Sequence, residues 1–225
     1  GAGDALVSSI ADTLAVDLNN GVLNLGTDAV SNGGALNAAV TVDDTSVVNA
    51  AGAAQYKVTS IALEANDSAL NVTDGATLTV GSLTGSGDVS VGNAESAGTA
   101  VLKNITGFIG MIFADPDWNT DDSLNTVGNA SHVQVTQFGE SLTAQLVAGR
   151  NSVVSVGVSG AEADAAFEKI ASVNGLSWKN DVTAMAYLSA PVALETSTGF
   201  IQVDGSLTEA PATYTGGLVT VASKG

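Results

Sequence analysis

Leu70-Asn71-Val72, Leu78-Thr79-Val80, Val89-Ser90-Val91 and Ala100-Val101-Leu102 are four short runs, each with an aliphatic side chain at its first and third positions. Their first residues lie 8, 11 and 11 apart, and Thr73-Asp74-Gly75, Gly85-Ser86-Gly87 and Gly92-Asn93-Ala94 stand between them. A period of two puts the aliphatics on one face of a strand, and the Gly, Asp and Asn clusters end each run. Short strands at that spacing predict an all-β array. The pattern extends toward the N-terminus as Leu14-Ala15-Val16-Asp17-Leu18 and, after the Asn20-Gly21 turn signal, Val22-Leu23-Asn24-Leu25. Toward the C-terminus it resumes over 182–188, 199–203 and 218–221.

Periodicity does not distinguish a parallel solenoid from an antiparallel sandwich. Side-chain size favours the solenoid. Of the ten aromatic residues only Tyr56 precedes residue 108, so the first hundred residues must build their core from Leu, Val, Ile and Ala. Such slender side chains suit a narrow core repeated many times. The Asn-Gly and Asp-Gly pairs, good hairpin formers, argue for the sandwich. Val80-Gly81-Ser82-Leu83-Thr84 returns, with one inserted residue, as Val203-Asp204-Gly205-Ser206-Leu207-Thr208, which predicts similar strand-and-turn units at the two places. One helix is predicted over 161–173. Ala163, Ala166, Phe167, Ile170 and Val173 form its apolar stripe, Glu162 and Asp164 sit in its first turn, and Asn174-Gly175 stops it. The chain reads as a single elongated domain over 1–225, with a helix-containing excursion at 157–180.

Composition restricts function. Six basic against 23 acidic side chains give a net charge of −17, which repels phosphate backbones and anionic lipid. Nucleic-acid binding is not expected on that ground. The absence of cysteine removes disulfides, thiolate metal sites and cysteine nucleophiles; it fits a bacterial protein exported in the unfolded state, and equally a cytosolic protein that lacks cysteine by chance. No apolar run reaches the roughly 18–20 residues that span a bilayer, so no direct membrane insertion is expected. Gly1-Ala2-Gly3-Asp4 does not read as the start of a signal peptide.

Candidate chemistry is sparse. In Asp115-Pro116-Asp117-Trp118-Asn119-Thr120-Asp121-Asp122, the side chains of Asp115, Asp117, Asn119 and Asp121 carry oxygen at alternate positions, as in the first half of a calcium loop. Thr120 then stands where the sharp turn wants Gly, and Thr126 where a bidentate Glu belongs. A solvated turn that caps its own backbone is the competing and favoured reading, so no cofactor is expected apart from the alternative of calcium at this loop. His132, the lone histidine, lies in the alternating stretch Ser131-His132-Val133-Gln134-Val135 and reads as a strand-surface imidazole. Ser152 follows Gly149-Arg150-Asn151 and lacks the Gly-x-Ser-x-Gly elbow. Gly85-Ser86-Gly87-Asp88-Val89-Ser90 is one glycine short of a dinucleotide loop and runs into a strand. Arg150 is the only arginine, so an anionic polysaccharide would find little to hold it. Paired carboxylates for neutral glycosides keep a carbohydrate-acting enzyme as the alternative. The expectation is a chain that is not an enzyme. The sequons at Asn66, Asn71, Asn104 and Asn129 occur at about the frequency that a chain rich in Asn, Ser and Thr produces by chance.

The run from Ala76 to Gly92 resembles the strand–turn units of autotransporter (type V secretion) passenger domains of the pertactin kind. Gly110-Met111-Ile112-Phe113-Ala114-Asp115-Pro116-Asp117-Trp118, then Ala148-Gly149-Arg150-Asn151-Ser152, resembles the C-terminal part of large autotransporter adhesins. The helix with Trp178, followed by the run from Asp181 to Pro191, is similar to the continuation of that segment. The resemblance covers roughly residues 70–208. It implies a right-handed parallel β-helix secreted to the surface of a Gram-negative bacterium and held at the outer membrane by a separate barrel. It also implies work in adhesion, self-association or biofilm formation, with a surface glycan, a surface protein or a second copy as partner. It transfers no site residue. A self-assembling surface-layer or filament subunit is a further alternative.

Overall fold

Each aliphatic run is a strand, and it pairs with the run one coil further along. The structure, a computed structural model, describes residues 4–6, 10–26, 33–93, 95–114, 131–140, 142–148 and 152–157, and beyond them the strands over 184–188, 192–193, 200–203, 206–208, 213–214 and 217–221. After β1 (Asp4–Leu6), the chain alternates long and short strands: β2 (Ile10–Asn19) and β3 (Val22–Leu25); β4 (Gly34–Asp43) and β5 (Val47–Ala50); β6 (Gln55–Leu63) and β7 (Ala69–Val72); β8 (Thr77–Gly85) and β9 (Asp88–Val91). The alternation continues with β10 (Thr99–Asn104) and β11 (Met111–Ala114), then β12 (His132–Gln137) and β13 (Gln145–Ala148). The remainder are β14 (Val153–Val156), β15 (Ala184–Leu188), β16 (Val192–Ala193), β17 (Phe200–Val203), β18 (Ser206–Thr208), β19 (Thr213–Tyr214) and β20 (Gly217–Val221).

Two parallel sheets result. One runs β1-β3-β5-β7-β9-β11-β13-β17 and the other β2-β4-β6-β8-β10-β12-β14-β15, and every pairing within these runs is parallel. This is a parallel β-solenoid, and the antiparallel sandwich is set aside. The turn signals that argued for the sandwich act as corners within one coil. Asn20 (φ 51°) and Asp74 (φ 57°) adopt the left-handed conformation and pass the chain to the next face without reversing it.

Tyr56 stands opposite Leu78, and Leu78 opposite Ala100, so that one coil takes 22 residues in each case. The two spacings of 11 seen in the sequence are the two parts of that coil. From Ala100 to Val133 the step is 33 residues, and from Val154 to Ala186 it is 32. The additional lengths contain 115–130, with the predicted calcium loop, and 158–183, with the predicted helix over 161–173. Both lie outside the described residues.

The core is a set of aliphatic stacks. Leu23, Val48, Leu70, Val89, Ile112 and Leu146 follow one another in register across the shorter strands. Tyr56, Leu78, Ala100, Val133 and Val154 do the same across the longer ones, and Val58, Val80, Leu102, Val135 and Val156 run beside them. All are buried. Phe108, Ile105 and Leu142 join the core only from the fifth pair of strands onward, where the aromatics begin in the sequence.

Strand β8 bends. Its inward residues are Leu78 and Val80 and then Leu83, so alternation slips by one at Gly81-Ser82. A Cβ on Gly81 would strike the Thr59 carbonyl oxygen of the preceding coil, which explains a glycine inside a strand. At another corner Gly21, Ser46, Ser68, Gly87 and Gly110 precede successive short strands. Their carbonyls accept from Val47 N (3.0 Å), Ala69 N (3.0 Å), Asp88 N (3.0 Å) and Gln145 N (3.0 Å), in the cases of Gly21, Ser46, Ser68 and Gly110. At two of these positions glycine is required by close approach, since a Cβ on Gly87 would meet the Ser68 carbonyl oxygen and one on Gly110 the Gly87 carbonyl oxygen.

The repeated sequence motif takes two different forms. Residues 80–84 lie within parallel β8, whereas Val203 and Ser206 pair antiparallel between β17 and β18. Two similar units are therefore not formed. Strand β20 likewise joins β15 antiparallel, so each sheet ends its parallel series with a reversed strand.

Candidate functional site

Parallel stacking brings chemically equal outward residues to within about 4.8 Å of one another, one coil apart. On the shorter-strand sheet this builds an asparagine ladder. Asn49 Nδ2 donates to Asn24 Oδ1 at 2.9 Å, and Asn71 Nδ2 donates to Asn49 Oδ1 at 3.0 Å. The carboxamides are half-buried and satisfy one another. The ladder ties three successive coils together through their side chains. It also places the Asn71 sequon in a strand, with its side chain already engaged.

The long-strand sheet carries short side chains outward. Ala39, Ser60 and Ser82 share one register row, and Thr41, Ala62 and Thr84 share the next. Nearer the start of the strands, Gln55, Thr77, Thr99 and His132 form a row beside Lys57, Thr79, Val101 and Gln134. Exposed acids lie mostly at corners: Asp43, Asp44, Glu64, Asp67 and Glu95.

His132 departs from the sequence expectation. It alternates with Val133 and Val135, which face the core, so it points outward, but it is only 5% exposed. The imidazole is buried, not on the surface. Its Nε2 lies 3.2 Å from Ser155 Oγ, and its Nδ1 lies 3.3 Å from Gln134 Nε2. A serine beside a histidine invites a nucleophile–base reading. Proton logic opposes it. The Gln134 amide nitrogen only donates, so Nδ1 accepts, and the ring proton sits on Nε2 facing Ser155. An imidazole in that tautomer donates to the serine and does not take its proton. Ser155 is also fully buried, so a substrate would have no approach. Sequence reading missed this cluster because alternation gave the face of β12 but not what covers it.

The other predicted sites are quickly placed. Asp115, Asp117, Asn119 and Asp121 lie outside the described residues. Among the described residues, no group of three or more His, Asp or Glu is arranged to hold a metal. Ser152 is fully buried. Gly85-Ser86-Gly87 links β8 to β9 and is a strand-to-strand turn, as its sequence implies. Burial pushes the half-buried Asp88 carboxyl above the usual carboxylate range, and the Met111 backbone N–H opposes that shift. Tyr56 donates its hydroxyl to the Ala51 carbonyl at 2.9 Å. Burial raises its phenol, and the Gly33 backbone lowers it. The chemistry on view is cohesive: ladders, corners and buried polar pairs that join coil to coil.

No protein-family model, curated protein or solved structure matches the chain.

Proposed function

We propose that this chain is a structural and adhesive segment of a surface-exposed bacterial protein of the autotransporter passenger kind. In this reading it works through its outer faces in adhesion or self-association, and it is not an enzyme. The observation that supports the reading best is the in-register outer surface. Rows of Asn, Ser, Thr and Ala repeat from coil to coil and present a regular polar surface to a glycan, a protein or another copy. A net charge of −17 sets the conditions of contact. Copies repel at low ionic strength, so self-association strengthens as salt or divalent cations screen them. The resemblance noted in the sequence adds display at the outer membrane of a Gram-negative bacterium, with a separate barrel as anchor. Calcium at Asp115, Asp117, Asn119 and Asp121 is the cation proposal that accompanies this reading.

The test is display of the chain on a non-adherent bacterium, scored for settling and for attachment to glycan- and protein-coated surfaces. A gain in either supports the reading. Turnover of a neutral or acidic polysaccharide by the purified chain, abolished by a carboxylate substitution, would replace it with the carbohydrate-acting enzyme.

A further inference from the structure

The Asn20-Gly21 corner joins β2 to β3 within the first pair of strands, and its chemistry has a second side. An asparagine followed by glycine is prone to cyclise, because no side chain hinders the glycine nitrogen as it approaches the carboxamide carbon. Here every polar atom of that reaction is engaged. Asn20 Nδ2 donates to Asp44 Oδ2 at 2.8 Å and to Asn19 Oδ1 at 3.1 Å. Asn20 Oδ1 accepts from Thr45 Oγ1 at 3.0 Å, and the attacking atom, Gly21 N, donates to Ser46 Oγ at 3.1 Å. Three of these partners, Asp44, Thr45 and Ser46, come from the following coil. Asn20 itself is exposed and held at φ 51°, so water reaches it freely.

We propose that Asn20 is a latent deamidation site that the second coil holds shut, and that its hydrolysis weakens the junction of the first two coils. In the reaction, Gly21 N bonds to Asn20 Cγ and the Cγ–Nδ2 bond breaks. Nδ2 leaves as ammonia, taking the Gly21 amide proton. Water then opens the cyclic imide at either carbonyl, giving aspartate or its isomer with the chain rerouted through Cγ. Solvent water is the only co-reactant. The product carboxylate has no N–H for Asp44, so a hydrogen bond becomes a contact between two like charges. An isomerised linkage would also add a backbone atom to a corner whose register is fixed by the Gly21 carbonyl accepting from Val47 N at 3.0 Å.

The experiment follows Asn20 by peptide mass mapping during incubation at mildly alkaline pH. It compares the native chain, the chain in urea, and the exposed-site variant Thr45→Val, with circular dichroism to verify folding. Folded protein should react more slowly than unfolded, and Thr45→Val should accelerate the folded reaction roughly two- to tenfold, the effect of releasing one hydrogen bond. Equal rates in folded and unfolded chain, or a folded Thr45→Val variant that reacts at the native rate, would overturn the shut-site claim. A second arm compares unfolding midpoints. Asn20→Asp should lower the midpoint, and adding Asp44→Asn should restore most of the loss. An Asn20→Asp variant that melts with the native chain would overturn the weakening claim.

Discussion

Two side chains show how single residues set the behaviour of the stack. Tyr56 is the one aromatic among the first hundred residues, and it fills the place that Leu78 and Ala100 take in the next two coils. It earns that place by sending its hydroxyl to the Ala51 carbonyl. Tyr56→Phe keeps the ring and leaves that carbonyl without its donor. It should cost about 1 kcal/mol in urea unfolding, with an unchanged slope. Asp88 acts in the opposite direction. Its carboxyl is raised in the folded state, chiefly by burial, so the folded chain holds the proton more tightly than the unfolded one. Its contribution is therefore favourable below the unfolded pKa, near 3.9, and is lost as pH rises through the folded value. Asp88→Asn should raise the melting temperature at pH 7 relative to the native chain. That advantage should shrink or vanish once the pH falls below the ordinary carboxylate range.

At the scale of the strand, the asparagine ladder makes a graded prediction. Asn49 sits in the middle and makes two ladder bonds, whereas Asn24 at the end makes one. Asn49→Ala should destabilise more than Asn24→Ala by about 1 kcal/mol in the same unfolding assay. Equal losses would mean that the carboxamides do not cooperate along the stack. The strands themselves were legible in the sequence. Alternation located β2, β3 and β7 through β10, and the double spacing of 11 is the 22-residue coil read in two halves. The side chains of Leu, Val and Ala gave the narrow core. The corners were misleading for a physical reason: Asn-Gly and Asp-Gly supply left-handed backbone, which serves a corner between two faces as well as a hairpin. The repeat at 203–208 misled similarly, since Val80-Gly81-Ser82 lies within β8 whereas Val203 and Ser206 stand on two strands that pair antiparallel. The His132 cluster was not legible at all. Its partner Ser155 is 23 residues away, and only the pairing of β12 with β14 brings the two together.

At the scale of the whole chain, the coils stack in parallel, with a repeat of 22 residues through the middle of the molecule. That repeat sets outward residues in register from coil to coil, and it underlies the proposed surface role. The chain has no cysteine, so engineered pairs report without background. Lys57 and Thr79 are outward register partners on β6 and β8, and Asn49 and Asn71 are partners on β5 and β7. Neighbouring strands lie about 4.8 Å apart, within the span a disulfide bridges. The decisive measurement is the oxidative cross-linking yield of Lys57→Cys/Thr79→Cys and Asn49→Cys/Asn71→Cys, beside the out-of-register control Lys57→Cys/Asn71→Cys. Both register pairs should bridge rapidly and almost completely within one molecule, and the control should bridge little. Failure of both register pairs in a folded protein, or equal bridging of the control, would contradict the parallel stack.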